Sequence, residues 1–303
     1  MDFVTFSVIF FSIILAIDIL YSRKERIITF KNAIIWSFIW IFTSIVFIIL
    51  AAESFKINDL YTLMAIYLTE KIFSINNLSI FLLIFSIAKI NIRQKLKILS
   101  FGLYLSMLFR IALIFLGVIL VNTFLNLSYL IISVVLVLFG YSMINEKTTF
   151  INKCLSIISK FKKSLPQNDN QRLPIIYLST SHIAILSILL GIVNFIFSLD
   201  NTFSILVITS DLLSLITVTL LAVIGLKPLY FLLEDAANRI EKLRIFLGIY
   251  MFYLAFESLL KVFKIEIPSN ITIFILLTLI SIPIILHFSE KFTPSHYRKK
   301  KIK

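Results

Sequence analysis

Apolar residues run along this chain in long blocks, and polar residues collect between them. A bilayer-spanning helix needs about 20 consecutive, mostly apolar residues. Nine blocks meet or approach that length, at roughly 4–21, 33–52, 60–88, 98–121, 127–144, 181–208, 212–233, 244–263 and 271–288. The third and sixth are long and are interrupted by polar residues. The pattern predicts an all-α polytopic membrane protein with about nine transmembrane helices, forming one domain over residues 1–303. The first block does not read as a cleaved signal, because Asp2 and no basic residue precede it, while Arg23, Lys24 and Arg26 follow it.

Composition agrees with that class. Hydrophobic residues make up 59% of the 303 and charged residues 15%, against about 45–50% and about 25% in soluble domains. Mean hydropathy is +1.01. A single Cys excludes a disulfide framework or a paired-thiol site. Three scattered His argue against a zinc cluster, and six Gly leave no phosphate-cradling loop. No nucleophile–base pair or resident cofactor motif is visible, so the chain is not expected to be an enzyme.

The net charge of +13 acquires meaning from its position. With the N-terminus outside, the inner segments 22–32, 89–97, 145–180, 234–244 and 289–303 hold 23 of the 29 Lys and Arg. The outer loops hold only Lys56 and Lys264. That bias orients the chain with its C-terminus in the cytoplasm. The tail 289–303, with Arg298 and Lys299 to Lys301, is expected to touch anionic inner-leaflet lipids rather than nucleic acid. Between the halves, 145–180 reads as a basic amphipathic segment on the inner leaflet. There Ile151, Leu155, Ile158, Phe161 and Leu165 recur at helical spacing, flanked by lysines.

A repeated phrase lies inside the membrane. Residues 70–77 read Glu-Lys-Ile-Phe-Ser-Ile-Asn-Asn and residues 194–201 read Asn-Phe-Ile-Phe-Ser-Leu-Asp-Asn. Under the predicted topology the two copies run in opposite directions, which predicts an inverted repeat of spans 3–5 against spans 6–8, with spans 1, 2 and 9 peripheral. Transporters place substrate sites where such repeats meet. Helical geometry puts Glu70, Ser74 and Asn77 on one face, and Asn194, Ser198 and Asn201 on another. Asn76 and Asp200 lie about 120° away and address a neighbouring helix or a loosened backbone. The span after each motif carries one cation, Arg110 and Lys227, and both are read as structural counter-ions. Ser and Asn also glue helices together without further function. Ionisable groups are different, each costing about 2.5–3.5 kcal/mol at a helix centre. Asp18, Glu70, Arg110, Asp200 and Glu257 all fall within spans, so Glu70 and Asp200 stand out as site candidates. Glu257 and Lys261 are spaced to pair, and Lys71 is expected to snorkel or pair. Carboxylates with amide oxygens suit Mn²⁺, Mg²⁺ or Ca²⁺ better than zinc or copper.

These residues resemble the TerC family of integral membrane proteins, which is associated with tellurium resistance and, in several members, with manganese export. Asp18 and Lys31-Asn-Ala-Ile-Ile-Trp36 look like the family's opening. Leu68-Thr-Glu-Lys-Ile-Phe-Ser-Ile-Asn-Asn77 is similar to its Glu-Lys-Ser-x-x-x-Asp-Asn motif. Phe109-Arg-Ile-Ala-Leu-Ile-Phe-Leu-Gly117, Phe197-Ser-Leu-Asp200 and Ala222-Val-Ile-Gly-Leu-Lys-Pro-Leu-Tyr-Phe-Leu-Leu233 match later motifs in order. Six positions depart. Asn76 and Asn194 stand where the family has Asp, and Gly191 where it has Glu. Phe203 replaces Pro, Lys227 replaces Arg, and Glu257 replaces Lys. The resemblance therefore implies an inner-membrane exporter of Mn²⁺ or a similar divalent ion, working by alternating access with a partly depleted acidic site. Glu70 and Asp200 would be anionic ligands, and Asn76, Asn77, Asn194 and Asn201 neutral ones, with Asp18 and Glu257 nearby. The alternative is a non-transporting factor for membrane-protein assembly or for metal and tellurite stress.

Overall fold

The computed structural model describes residues 2–23, 30–88, 92–145, 180–235 and 240–292. Most of the basic segment 145–180 and of the tail 289–303 lies outside these residues, and Cys154 with them. The described residues form helices and short connections. In chain order the helices are α1 (Phe3–Arg23), α2 (Phe30–Glu53), α3 (Leu60–Ala88), α4 (Ile92–Thr123), α5 (Leu125–Ile144), α6 (Thr180–Ile208), α7 (Leu212–Val223), α8 (Leu226–Asp235), α9 (Ile240–Val262) and α10 (Ser269–Phe292).

They coincide with the apolar blocks, with one exception. The block 212–233 divides into α7 and α8, which meet at 45°. By length and apolar character, four stretches among the described residues are able to cross a bilayer: Lys31–Glu53, Gln94–Thr123, Leu125–Ile144 and Ile245–Val262. The bent pair makes a fifth if it counts as one span. The described residues thus form an all-helical integral membrane bundle. Its outward surface fits lipid, since Phe38, Leu108, Leu116, Leu138 and Phe274 expose more than half of their area.

Helix ends obey local rules. Asp211 caps α7, its carboxylate accepting from the Ser214 N–H at 2.9 Å. Asp59 plays the same part for α3, accepting from the Thr62 N–H at 2.9 Å. Lys56 and Lys264 both take positive φ, 51° and 60°. They follow the C-termini of α2 and α9, where a left-handed residue lets the chain turn off the helix. After α9 the Lys264 N–H reaches Lys261 O at 3.0 Å and the Ile265 N–H reaches Leu260 O at 3.0 Å, the paired bonds of a Schellman turn. Lys264 therefore caps α9 through its backbone.

The bundle is built from a few close pairs. The most extensive contacts join α5 to α9 and α4 to α6; α3 packs against α6, α7, α8 and α10, and α2 against α8. Glycine permits the tightest crossing. A Cβ at Gly140 would sit 2.9 Å from Gly248 O, and one at Gly248 would sit 2.9 Å from Gly140 O. Small residues bring the backbones of α5 and α9 together, as is common where lipid supplies no hydrophobic drive. At the end of the bundle formed by the start of α1, Phe3, Phe6, Phe10, Phe47 and Phe55 stack into one aromatic cluster.

The expectation that spans 1, 2 and 9 are peripheral needs correction. Trp40 of α2 packs against Gly225 at the α7–α8 bend, α1 contributes Asp18 to an interior ion pair, and Thr272 of α10 bonds a buried carboxylate. A bent span leaves a hollow and freed backbone groups, and neighbouring helices must fill and satisfy them.

Candidate functional site

Glu70 is the centre of the polar interior. It is fully buried on α3 and gathers groups from three other helices. Arg110 of α4 donates from Nη1 to Glu70 Oε2 at 2.6 Å and to Ser74 Oγ at 3.2 Å. Asn201 of α6 donates from Nδ2 to Glu70 Oε2 at 3.3 Å. Thr219 of α7 donates to Glu70 Oε1 at 3.4 Å. Arg110 is 1% exposed, so the ion pair is closed off from the surface. A charged bond of 2.6 Å in low dielectric is a strong one. The predicted face of α3 is visible in these contacts, since one guanidinium reaches both Glu70 and Ser74, and Asn77 is buried farther along the same helix.

The neighbouring residue grips the bent span. Lys71 neither pairs with Glu70 nor snorkels outward. Its ammonium donates to Ala222 O at 3.0 Å and to Ile224 O at 2.9 Å. These carbonyls lie where α7 ends and the chain turns. Gly225 makes the turn with φ +80°, a left-handed conformation that favours glycine. A Cβ there would also meet Trp40 Cβ at 2.6 Å. Backbone oxygens freed inside a membrane must find donors, and a helix C-terminus attracts a cation.

Beyond the break, Lys227 in the first turn of α8 donates to Asp18 Oδ2 at 2.5 Å and to Tyr104 Oη at 2.8 Å. Tyr104 of α4 donates to the same Asp18 oxygen at 2.5 Å. Three helices close this ring, which is less deeply buried than the Glu70 pair. A cavity of about 20 Å³ adjoins it, lined among others by Asp18, Tyr104, Ile224, Gly225 and Lys227. That is room for about one water.

Glu257 occupies a third place. It is buried on α9 and accepts from Thr272 Oγ1 at 3.1 Å. It forms no ion pair with Lys261, whose ammonium instead lies 5.5 Å from the centre of the Tyr129 ring. The i,i+4 spacing allows a pair on an exposed helix, but here each side chain finds a partner on a different helix.

The described residues thus divide the expected ligand set. Glu70 and Asn201 come together, with Arg110, Ser74 and Thr219. Asp18 joins Lys227, so the partner seen for Lys227 comes from α1. Glu257 shares no hydrogen-bond partner with either group. Asn76 lies in α3, and Asn194 and Asp200 in α6, but their side chains are outside the described residues, as is that of His182. Ser198 turns its hydroxyl back to Phe195 O at 2.7 Å. No group of three or more His, Cys, Asp or Glu placed to hold a metal occurs among the described residues. Sequence reasoning did not single out Thr219 or Tyr104. Both are polar interruptions in apolar helices, a weak signal shared with many residues that bond only their own backbone. Thr217, for example, donates to Leu213 O at 2.6 Å.

The model of the integral membrane protein TerC family matches residues 55–296. The chain belongs to the TerC family. The match begins after α1 and α2, so the resemblance of Asp18 and Lys31–Trp36 to the family's opening lies outside it. Among curated proteins the chain is similar to an uncharacterized membrane protein of Rickettsia prowazekii, 26% identical over 94% of this chain and 99% of the relative. It is also similar to proteins named as a candidate membrane-bound redox modulator, Alx. That of Photorhabdus laumondii is 24% identical over 78% of this chain and 79% of its own length; that of Shigella flexneri is 24% identical over 86% and 87%. No solved structure matches the chain. Membership gives Gly191 a meaning, because the family resemblance implies Glu at this position. Here a Cβ would meet Leu105 Cδ2 at 2.4 Å. Leu105 occupies the space that a longer side chain would need.

Proposed function

We propose that this TerC protein is an inner-membrane cation transporter exporting Mn²⁺ or a similar hard divalent ion. In this reading its N-terminus is outside and its C-terminus cytoplasmic. The observation that carries the proposal is the buried Glu70 of α3, one turn from Ser74 and reached by Asn201 of α6 and Thr219 of α7. Carboxylate, hydroxyl and amide oxygens are the ligands such ions take. Arg110 occupies the cation's place at Glu70. Ion entry therefore requires that Arg110 swing away, with Asp200 supplying the second negative charge. A tethered guanidinium that competes with the substrate keeps the carboxylate neutralised while the site is empty.

Helix pairing supports an inverted repeat of α3–α5 against α6–α9. In such an arrangement α3 corresponds to α6, α4 to the bent pair, and α5 to α9. The contacts α3–α6 and α5–α9 would then lie across the pseudo-twofold axis, and α4–α6 would mirror α3–α7; all four pairs are in contact. Rocking one repeat against the other would give alternating access. The bend at Gly225 has no counterpart in the continuous α4, so the two copies have diverged.

The test is metal content. Cells lacking Mn²⁺ export should regain resistance and lower intracellular Mn²⁺ when they express the chain, and lose both with Glu70→Gln or Asp200→Asn. Unchanged Mn²⁺ with the wild-type chain confirmed in the membrane would sink the proposal.

One observation favours a second reading, an assembly or stress-response factor that carries no ion. Glu70 is buried and already paired, and Leu105 fills the space beside Gly191. A silent Glu70→Gln/Asp200→Asn variant, with stable membrane-protein partners recovered by pull-down, would decide for it. The name of the Alx relatives points to redox balance. With one Cys in this chain, such an effect would pass through a transported ion rather than a dithiol.

A further inference from the structure

We propose that the carbonyl end of α7, at the Ile224–Gly225 break, is a binding site for a monovalent cation, and that Lys71 fills it with its own ammonium in this conformation. The proposal does not depend on divalent transport. Its starting point is the way the Lys71 charge is held. The two ion pairs among the described residues are Arg110–Glu70 and Lys227–Asp18. The Lys71 ammonium has instead two neutral oxygens, Ala222 O at 3.0 Å and Ile224 O at 2.9 Å, and the Tyr67 ring with its centre 6.0 Å away.

That is the chemistry of a monovalent site. Neutral carbonyl oxygens and an aromatic face stabilise one positive charge, whereas a divalent ion calls for carboxylates. The last carbonyls of a helix also carry the negative end of its dipole. Broken membrane helices bind coupling cations through such unwound carbonyls.

Lys71 is not alone in shaping the break. Gly225 holds the turn with φ +80°, and Trp40 packs against it. Val223, Ile224 and Gly225 also border the cavity of about 20 Å³, so a species the size of one water can lie against the break. Withdrawal of Lys71 would leave the carbonyls aimed at a space that held an ammonium.

The experiment is chemical rescue. Lys71→Ala removes a fragment the size of propylammonium. Full-length wild-type and Lys71→Ala proteins are purified in detergent and melted in ammonium, propylammonium, potassium, sodium or choline chloride at equal concentration. Choline is too large for the site and controls for ionic strength. The wild type should melt alike in all five salts. Lys71→Ala should melt lower in choline and recover in ammonium, in propylammonium and in at least one alkali chloride. The recovery should grow logarithmically with concentration, as binding linkage requires. A folded Lys71→Ala that melts identically in choline and in the small cations overturns the proposal, as does recovery produced by Ca²⁺ or Mn²⁺ alone. Lys71→Gln, whose amide keeps a donor for the carbonyls, is the second variant. If Lys71→Ala does not fold in choline, it should fold in ammonium or propylammonium chloride, and its failure in those salts too, while Lys71→Gln folds, overturns the proposal equally.

Discussion

Replacing Arg110 by Met isolates the main electrostatic commitment of the bundle. Met keeps much of the length and apolar bulk but removes the 2.6 Å bond to Glu70 Oε2. Glu70 is then left with Asn201 at 3.3 Å and Thr219 at 3.4 Å, both long hydrogen bonds. An unpaired charge at a membrane helix centre costs about 2.5–3.5 kcal/mol, and breaking a buried pair by removing one partner costs about 3–5 kcal/mol. The two routes agree on about 3 kcal/mol, or more than a hundredfold in the folding equilibrium. Glu70→Met should cost a similar amount, because Arg110 keeps Ser74 at 3.2 Å but loses its anion. The double variant removes both charges and should return to within about 1 kcal/mol of wild type. Unfolding in mixed micelles with rising sodium dodecyl sulfate, followed by circular dichroism, gives the four corners of this cycle. A double variant as unstable as the sum of its singles would refute the reasoning, because the two residues would then be uncoupled.

Other predictions follow from backbone geometry and from the second ion pair. Gly225→Ala should lose about 2–4 kcal/mol in the same assay: left-handed backbone costs about 1–2 kcal/mol without glycine, and the added Cβ meets Trp40 Cβ at 2.6 Å. Gly248→Ala should destabilise by about 1–3 kcal/mol, since its Cβ meets Gly140 O at 2.9 Å, whereas Gly117→Ala should be nearly neutral because only a terminal methyl of Leu206 must turn away; equal losses at the two sites would contradict the packing argument. Lys264→Gly should raise stability by about 1 kcal/mol by relieving φ 60° at the end of α9. Asp18→Asn should cost less than Arg110→Met, because its pair with Lys227 is less completely buried, and the same denaturant titration ranks them.

Much of the fold was legible in the chain because lipid imposes a simple code. A helix in hydrocarbon satisfies its own backbone, so the long apolar blocks become helices, 212–233 as a bent pair, and α3 spans the predicted 60–88. The face shared by Glu70 and Ser74 was legible for the same reason, since helical period alone sets it. The recurring motif also led to Asn201, which reaches Glu70.

Other features were decided only when helices met. Lys71 sits beside Glu70 in the chain, yet the two side chains serve different partners on the bent span. Lys227 found an acid from α1, more than two hundred residues away. Neither choice follows from spacing, because a buried charge takes whichever opposite charge or carbonyl the packing brings within reach. The bend at Gly225 is similar. The glycine was visible, but not its positive φ, and the donor to the freed oxygens and the Trp40 against the turn came from the neighbouring helices α3 and α2. The sequence by itself determined the helices, because their backbone hydrogen bonds are local. Tertiary structure decided where each charge goes, because in a low-dielectric interior that depends on contacts between residues far apart in the chain.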